Sequence, residues 1–285
     1  MNSSPNYYKH SGRVPPASVA LALVGGLLSA LIVGFLYGQG MARIPVVGKI
    51  TFVIAAAAGA AYGAVPALLF RKGHGRSTPV GAGIAALCTV VGHYVAWAAW
   101  VSVVLNRDTE GPGTFDLVLS PGDLWETIDR ISEVGAWSLR SSSPVTGGVL
   151  WGLWALEGLI VLGVGAALGG GLAMGGVYCE HCGRWCKEEE GRVMLNPAPP
   201  EAVKPRLEAQ DFAVLNEIGP LAQDGPALRL DLAWCEGCDK THAVALSKLT
   251  PKADGSGTDS ESVLPHLHTT PEVSRWLRSI PARAG

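Results

Sequence analysis

The chain has 285 residues, of which 48% are hydrophobic and only 16% charged, against about 25% charged in an ordinary soluble domain. A net charge of −2 argues against a nucleic-acid partner, because affinity for phosphate backbones comes from clustered Lys and Arg. The 37 glycines suit helices that pack closely in lipid.

Residues 1–16 are polar and carry Lys9 and Arg13. Ala17 to Tyr37 follows without a charge. At about 1.5 Å per residue it is long enough for a hydrocarbon core of roughly 30 Å. A secretory leader has a shorter apolar region and a small-residue cleavage site, so an uncleaved helix is expected. Ala22, Gly26, Ala30, Gly34 and Gly38 recur every fourth residue, giving a smooth face for helix contact, within the chain or between copies in a homo-oligomer. Ile50 to Phe70 is the second expected span, with small residues at Gly59 and Gly63 and a proline at Pro66. Pro79 to Leu105 is the third. His93 stands near its middle, and Cys88 reads as a small buried hydrophobe.

Residues 106–148 form a polar interval. Within it Ser120-Pro121-Gly122-Asp123 reads as a helix start. Leu124, Ile128 and Ile131 then share one face and charged residues the other, which predicts an amphipathic helix over Pro121–Val134. That helix either lies on the membrane surface or caps the bundle. Val149 to Val177 is the fourth span, interrupted by Glu157, and its glycine-rich end is expected either to fray or to lie at the interface. His93 and Glu157 fall within about 6 Å of one another in depth. Ionisable groups are costly in lipid, so the two are candidates for an intramembrane polar pair.

The tail, residues 178–285, holds 12 Lys/Arg and 16 Asp/Glu, which again disfavours phosphate ligands. It also holds five of the six cysteines. Cys179-x-x-Cys182 and Cys235-x-x-Cys238 are two metal-type pairs, and four thiolates place themselves tetrahedrally around Zn²⁺. Cys186 is a fifth candidate ligand, and His181 and His242 are weaker ones. Disulfides are the rival in an oxidising compartment. Leu228, Leu230, Leu232 and Trp234 alternate with Arg229, Asp231 and Ala233 as in a half-buried strand. After the turn at Cys235–Cys238, His242 to Leu249 can run back beside it. Val177-Tyr178, a turn at Cys179–Gly183 and a return at Arg192–Leu195 would repeat that layout.

Two hairpins that each donate two thiolates from a turn resemble a zinc ribbon. The resemblance covers only these two knuckles, and their separation exceeds that of a compact four-cysteine site. It implies a closed, structural zinc site. Iron in a rubredoxin-like site uses the same ligands. An insertion fills the gap, with a helix expected over Pro199–Glu217. Residues 250–262 read as a flexible loop, and Thr270-Pro271-Glu272 starts a last short helix. His266 and His268 are a further candidate metal pair.

The expected fold is thus a mainly α membrane protein. Four transmembrane helices (about 17–37, 50–70, 79–105 and 149–177) make a bundle over residues 17–177. Residues 1–16 and a small α+β domain, 178–285, lie in the cytosol, and loop 106–148 lies outside. Basic residues at 9, 13, 71, 72 and 76 set this orientation, in the inner (plasma) membrane of a bacterium. No phosphate loop, nucleophile elbow or zinc-protease motif occurs. The expected function is therefore non-enzymatic: a membrane adaptor or assembly component in the lipid bilayer, whose zinc domain docks a protein partner. The alternative is a small membrane transporter or enzyme that uses Glu157 and His93.

Overall fold

In the computed structural model the described residues are 7–44, 49–107, 110–135, 144–223 and 225–280. The chain divides into two compact units. One is Ser11–Gly175, and the other joins Met1–His10 to Gly176–Gly285.

The first unit is helical. Its long helices are α1 (Pro16–Arg43), α2 (Lys49–Lys72), α3 (Thr78–Leu105) and α6 (Gly147–Met174), and two short ones, α4 (Thr114–Leu119) and α5 (Pro121–Val134), lie between α3 and α6. All four long helices are apolar and long enough to cross a membrane. α6 runs through the Gly169–Gly171 triplet to Met174 instead of fraying there. α1 packs on α2 and α3, and α6 packs on the same two, so α1 and α6 occupy opposite corners.

Small residues set these contacts. The buried positions of α1 are Ser18, Ala22, Gly26, Ala30, Gly34, Gly38 and Ala42. A Cβ on Gly34 would meet the Gly92 carbonyl oxygen at 2.3 Å, and one on Gly38 would meet that of Ala96 at 2.1 Å. The small face foreseen on α1 is therefore occupied by α3 of the same chain. α2 meets α6 in the same way, since a Cβ on Gly63 would fall 2.0 Å from the Gly165 carbonyl oxygen. Outward positions stay apolar: Val24 and Leu36 on α1 are 70% and 63% exposed, a surface suited to lipid rather than water.

α5 buries Leu124, Ile128 and Ile131, as its spacing predicts. They join Ala98, Val101, Leu150 and Trp154 in one cluster, so α5 caps the bundle. Tyr94 Oη donates to the Val118 carbonyl at 2.9 Å and ties α4 to α3. Trp97 and Trp154 meet edge to face there with centroids 5.0 Å apart. The helix start is as read, with Pro121 in the first turn, but the Ser120 side chain makes no capping bond.

The second unit contains a two-stranded hairpin, β1 (Tyr178–Cys179) with β2 (Arg184–Trp185), and an antiparallel sheet in the order β3-β4-β5-β6. Its strands are β3 (Lys187–Leu195), β4 (Ala227–Trp234), β5 (His242–Pro251) and β6 (Thr258–His268). Leu228, Leu230, Leu232 and Trp234 of β4 point into a core with Val244, Leu246, Leu264 and Leu267. α7 (Pro200–Glu208), α8 (Val214–Ile218) and α9 (Pro271–Ser279) supply Leu207, Leu215 and Leu277 to it.

Three details differ from expectation. The return strand of the first knuckle is Arg184–Trp185, while Val193–Leu195 pairs with Leu228–Leu230 of β4. The helix foreseen over 199–217 breaks after Glu208, where Gln210 takes φ +62° and the Asp211 carboxylate accepts the Ala213 N–H; the turn lets Phe212 bury. Residues 250–262 are mostly strand, because β5 and β6 stay paired out to Pro251 and Thr258. Only the turn between them matches the loop.

Residues 7–10 belong to this unit. Tyr7 bridges to Leu267, and the Tyr8 N–H donates to the His266 carbonyl at 2.8 Å. The Tyr178 N–H donates to Tyr8 Oη at 2.9 Å, and the Tyr7 hydroxyl donates to Glu208.

Candidate metal centre

Each cysteine pair sits in a turn closed by backbone bonds. In the first, Gly183 takes φ +64°, which glycine adopts without steric cost. Its N–H donates to the Cys179 carbonyl at 2.9 Å, and the Cys186 N–H donates to Val177 at 2.8 Å. In the second, β4 and β5 stay in register up to Trp234 opposite His242, and the Cys235 N–H donates to the Thr241 carbonyl at 3.0 Å. The two turns touch: a Cβ on Gly237 would lie 3.1 Å from Cys182 Sγ. A side chain on Gly237 would require Cys182 to give by a few tenths of an ångström.

The Sγ atoms of Cys179, Cys182, Cys235 and Cys238 all lie within 4.8 Å of one another, and those of Cys179 and Cys238 are 3.6 Å apart. Four sulfurs at about 2.3 Å from a central ion stand about 3.8 Å apart, whereas a disulfide needs about 2.05 Å. Cys179 and Cys235 are buried, Cys182 and Cys238 partly exposed, as in a site at a domain surface. The set fits one metal ion held by four thiolates.

The electrostatics agree. Burial raises the Cys179 thiol, but hydrogen bonds from Thr241, the Cys182 backbone, Cys235 and Cys238 outweigh it and bring the group down to about 6. Cys182, bonded to Cys238, is pushed up to about 12. Metal binding takes the thiols in their deprotonated form and releases their protons. Cys186 lies outside the quartet among the described residues. Burial, then the charge of the neighbouring Cys235 and Cys179, push it up to about 12.

None of the candidate histidines joins the four sulfurs among the described residues. His181 is exposed. His242 is buried and its ring nitrogens have no hydrogen-bond partner; Nε2 stands 3.9 Å from Asp239. Burial lowers its affinity for a proton. His266 and His268 lie on β6, where the Tyr8 ring stacks edge-on against His268 with centroids 5.7 Å apart.

Beside the second knuckle lies a cleft of about 500 Å³, lined by Lys187, Trp234, Glu236, Gly237, Asp239 and Arg278. Lys187 and Arg278 sit over the Trp234 ring at 5.3 and 5.0 Å from its centroid. The sequence marks Trp234 as a core residue, but the two cations that frame it come from β3 and α9, far away in the chain.

In the helical unit Glu157 and His93 take separate partners. Tyr37 Oη donates to Glu157 Oε1 at 2.5 Å. Trp97 Nε1 donates to His93 Nε2 at 3.2 Å. Tyr37 ends the first apolar run and Trp97 is one turn from His93, so both were visible in the sequence, but only the bundle geometry pairs them. Comparison of the chain with protein-family models, with curated proteins and with solved structures gives no match.

Proposed function

We propose that this is a non-enzymatic integral membrane protein whose cytosolic zinc-stapled domain docks a protein partner. The closed quartet of thiols carries the reading. Four thiolates complete the coordination of zinc and leave no open position for substrate, so the ion shapes the domain rather than reacting. Zinc is favoured over iron because a reduced cytosolic compartment keeps the thiols available and closed four-cysteine sites there are commonly structural.

Two observations support the topology. Residues 7–10 and 176–280 build one unit, so an even number of crossings lies between them. The Arg76 N–H donates to the Arg13 carbonyl, which gathers Arg13, Arg71, Lys72 and Arg76 at one end of the bundle, as the positive-inside rule asks of a cytosolic end.

The docking face in this reading is the cleft at the second knuckle, where the Arg278 guanidinium lies over the Trp234 ring, two residue types enriched among interface hot spots. The test is a photoreactive residue at Asp239 in the full chain, cross-linked in native membranes. We expect one adduct that disappears in a Lys187→Glu, Arg278→Glu variant that still holds its metal. No adduct from this face, or one unaffected by the charge reversal, overturns the reading.

A further inference from the structure

Each long helix brings one polar ring or acid to the middle of the bundle. α1 supplies Tyr37, α2 Tyr62, α3 His93 and α6 Glu157. Tyr37 reaches across the bundle diagonal to bond Glu157. Tyr62, fully buried, lies within electrostatic reach of both while its hydroxyl donates to the Gly92 carbonyl at 3.3 Å.

Among the described residues nothing cationic is placed against the acid. The four apolar segments, residues 17–37, 50–70, 79–105 and 149–177, contain no Lys or Arg. From α1 and α2 the facing groups are the phenols of Tyr37 and Tyr62, and from α3 the group is His93. That histidine is not a counter-ion. An indole N–H only donates, so the bond from Trp97 requires an unprotonated His93 Nε2. The ring is then neutral with its proton on Nδ1, which is buried without a partner. An ionised Glu157 would thus be a single anion in hydrocarbon, steadied by one phenol.

The geometry points to a proton-binding site in the bundle, formed by the Glu157 carboxyl with Tyr37 as its hydrogen-bond donor. One proton from the aqueous phase adds to a carboxylate oxygen, and the site goes from −1 to neutral with no other bond made or broken. A metal cation fits worse, since hard cations collect six or more oxygens and the side chains placed here offer one carboxyl and two phenols. The reading is independent of whether the tail docks a partner.

Infrared difference spectroscopy of the full chain in lipid vesicles, wild type minus Glu157→Gln, tests it. We expect the carbonyl stretch of a protonated carboxylic acid at neutral pH, absent from Glu157→Gln and moved to higher frequency in Tyr37→Phe, which removes the hydrogen bond. Sodium at fixed pH should leave the band in place. If Glu157→Gln does not fold, a pH titration of wild type with ¹³C-labelled glutamate gives the same answer, because the acid band must convert to carboxylate only above neutral pH. Carboxylate bands alone at neutral pH, or loss of the acid band on adding sodium, overturn the proposal.

Discussion

At the scale of single residues, the quartet divides the cysteines into two kinds. Removal of Cys235 leaves three ligands and opens the second knuckle. Structural zinc contributes about 10–16 kcal/mol of apparent folding energy in small metal domains. Cys235→Ser should therefore lose its metal and become protease-sensitive after Gly176, and elemental analysis with limited proteolysis checks both. Cys186→Ser should keep one equivalent. His242 makes a different prediction. Its ordinary value is 6.5 and burial lowers it in the fold, so below about pH 6.5 the unfolded chain binds the extra proton and the folded one resists it. Stability is complete above that pH and falls as pH drops towards the folded value, by up to about 1.4 kcal/mol per pH unit. His242→Leu removes both unpartnered nitrogens and should flatten this acid limb in urea melts of the metal-loaded protein, compared with wild type at each pH.

At the scale of elements, some parts could be read in advance and others could not, for physical reasons. The long helices were legible because each is a predominantly apolar run of membrane-crossing length. β4 was legible because Leu228, Leu230, Leu232 and Trp234 fill one face while the other carries Arg229 and Asp231, half-buried, which writes a period of two into the sequence. β3 hid itself. Its first half, Lys187 to Glu190, is charged on both faces, and its pairing slips between Glu189 and Val193. There Gly191 takes φ +62° and donates to Asp231 at 2.7 Å. The outer half of β6 hid similarly, since Thr258–Ser262 is exposed on both faces and so shows no alternation. The thiol pairs were legible because the chemistry demands them locally, whereas Tyr37 beside Glu157 depends on which helices stand diagonally. The α2–α6 contact can be tested directly. Gly63→Val would drive its Cβ into the Gly165 backbone, a contact that backbone cannot relieve by changing rotamer. We expect a loss of at least about 1–3 kcal/mol, seen as a lower Tm in detergent, with zinc content unchanged.

At the scale of the whole molecule, the even crossing number has a direct test. Reporter cysteines at Ser77, Glu133 and Ser256, in a background where the native thiols are blocked or removed, should differ in reaction with an impermeant thiol reagent on intact cells. Only Glu133→Cys, on the exposed face of α5, should react. Labelling of Ser256→Cys would invert the orientation and expose the tail to an oxidising compartment, where paired thiols oxidise instead of holding zinc. That result would leave untouched the four helices long and apolar enough to cross a membrane, which are read from length and composition rather than from charge.

The pairing of residues 7 and 8 with residues 266 and 267 also sets an order in time. A ribosome releases the first of these partners long before the second, and every helix of the bundle emerges in between. The second unit is in effect one domain with the helical unit spliced into it after residue 10. Its amino-terminal piece must wait, unpaired, through the synthesis of all four long helices. Its two thiol pairs likewise wait for each other across the making of β3, α7 and α8. The four cysteines therefore come together late, after all four long helices have been made, and a chain stopped anywhere before β6 would leave its first residues without their strand partner.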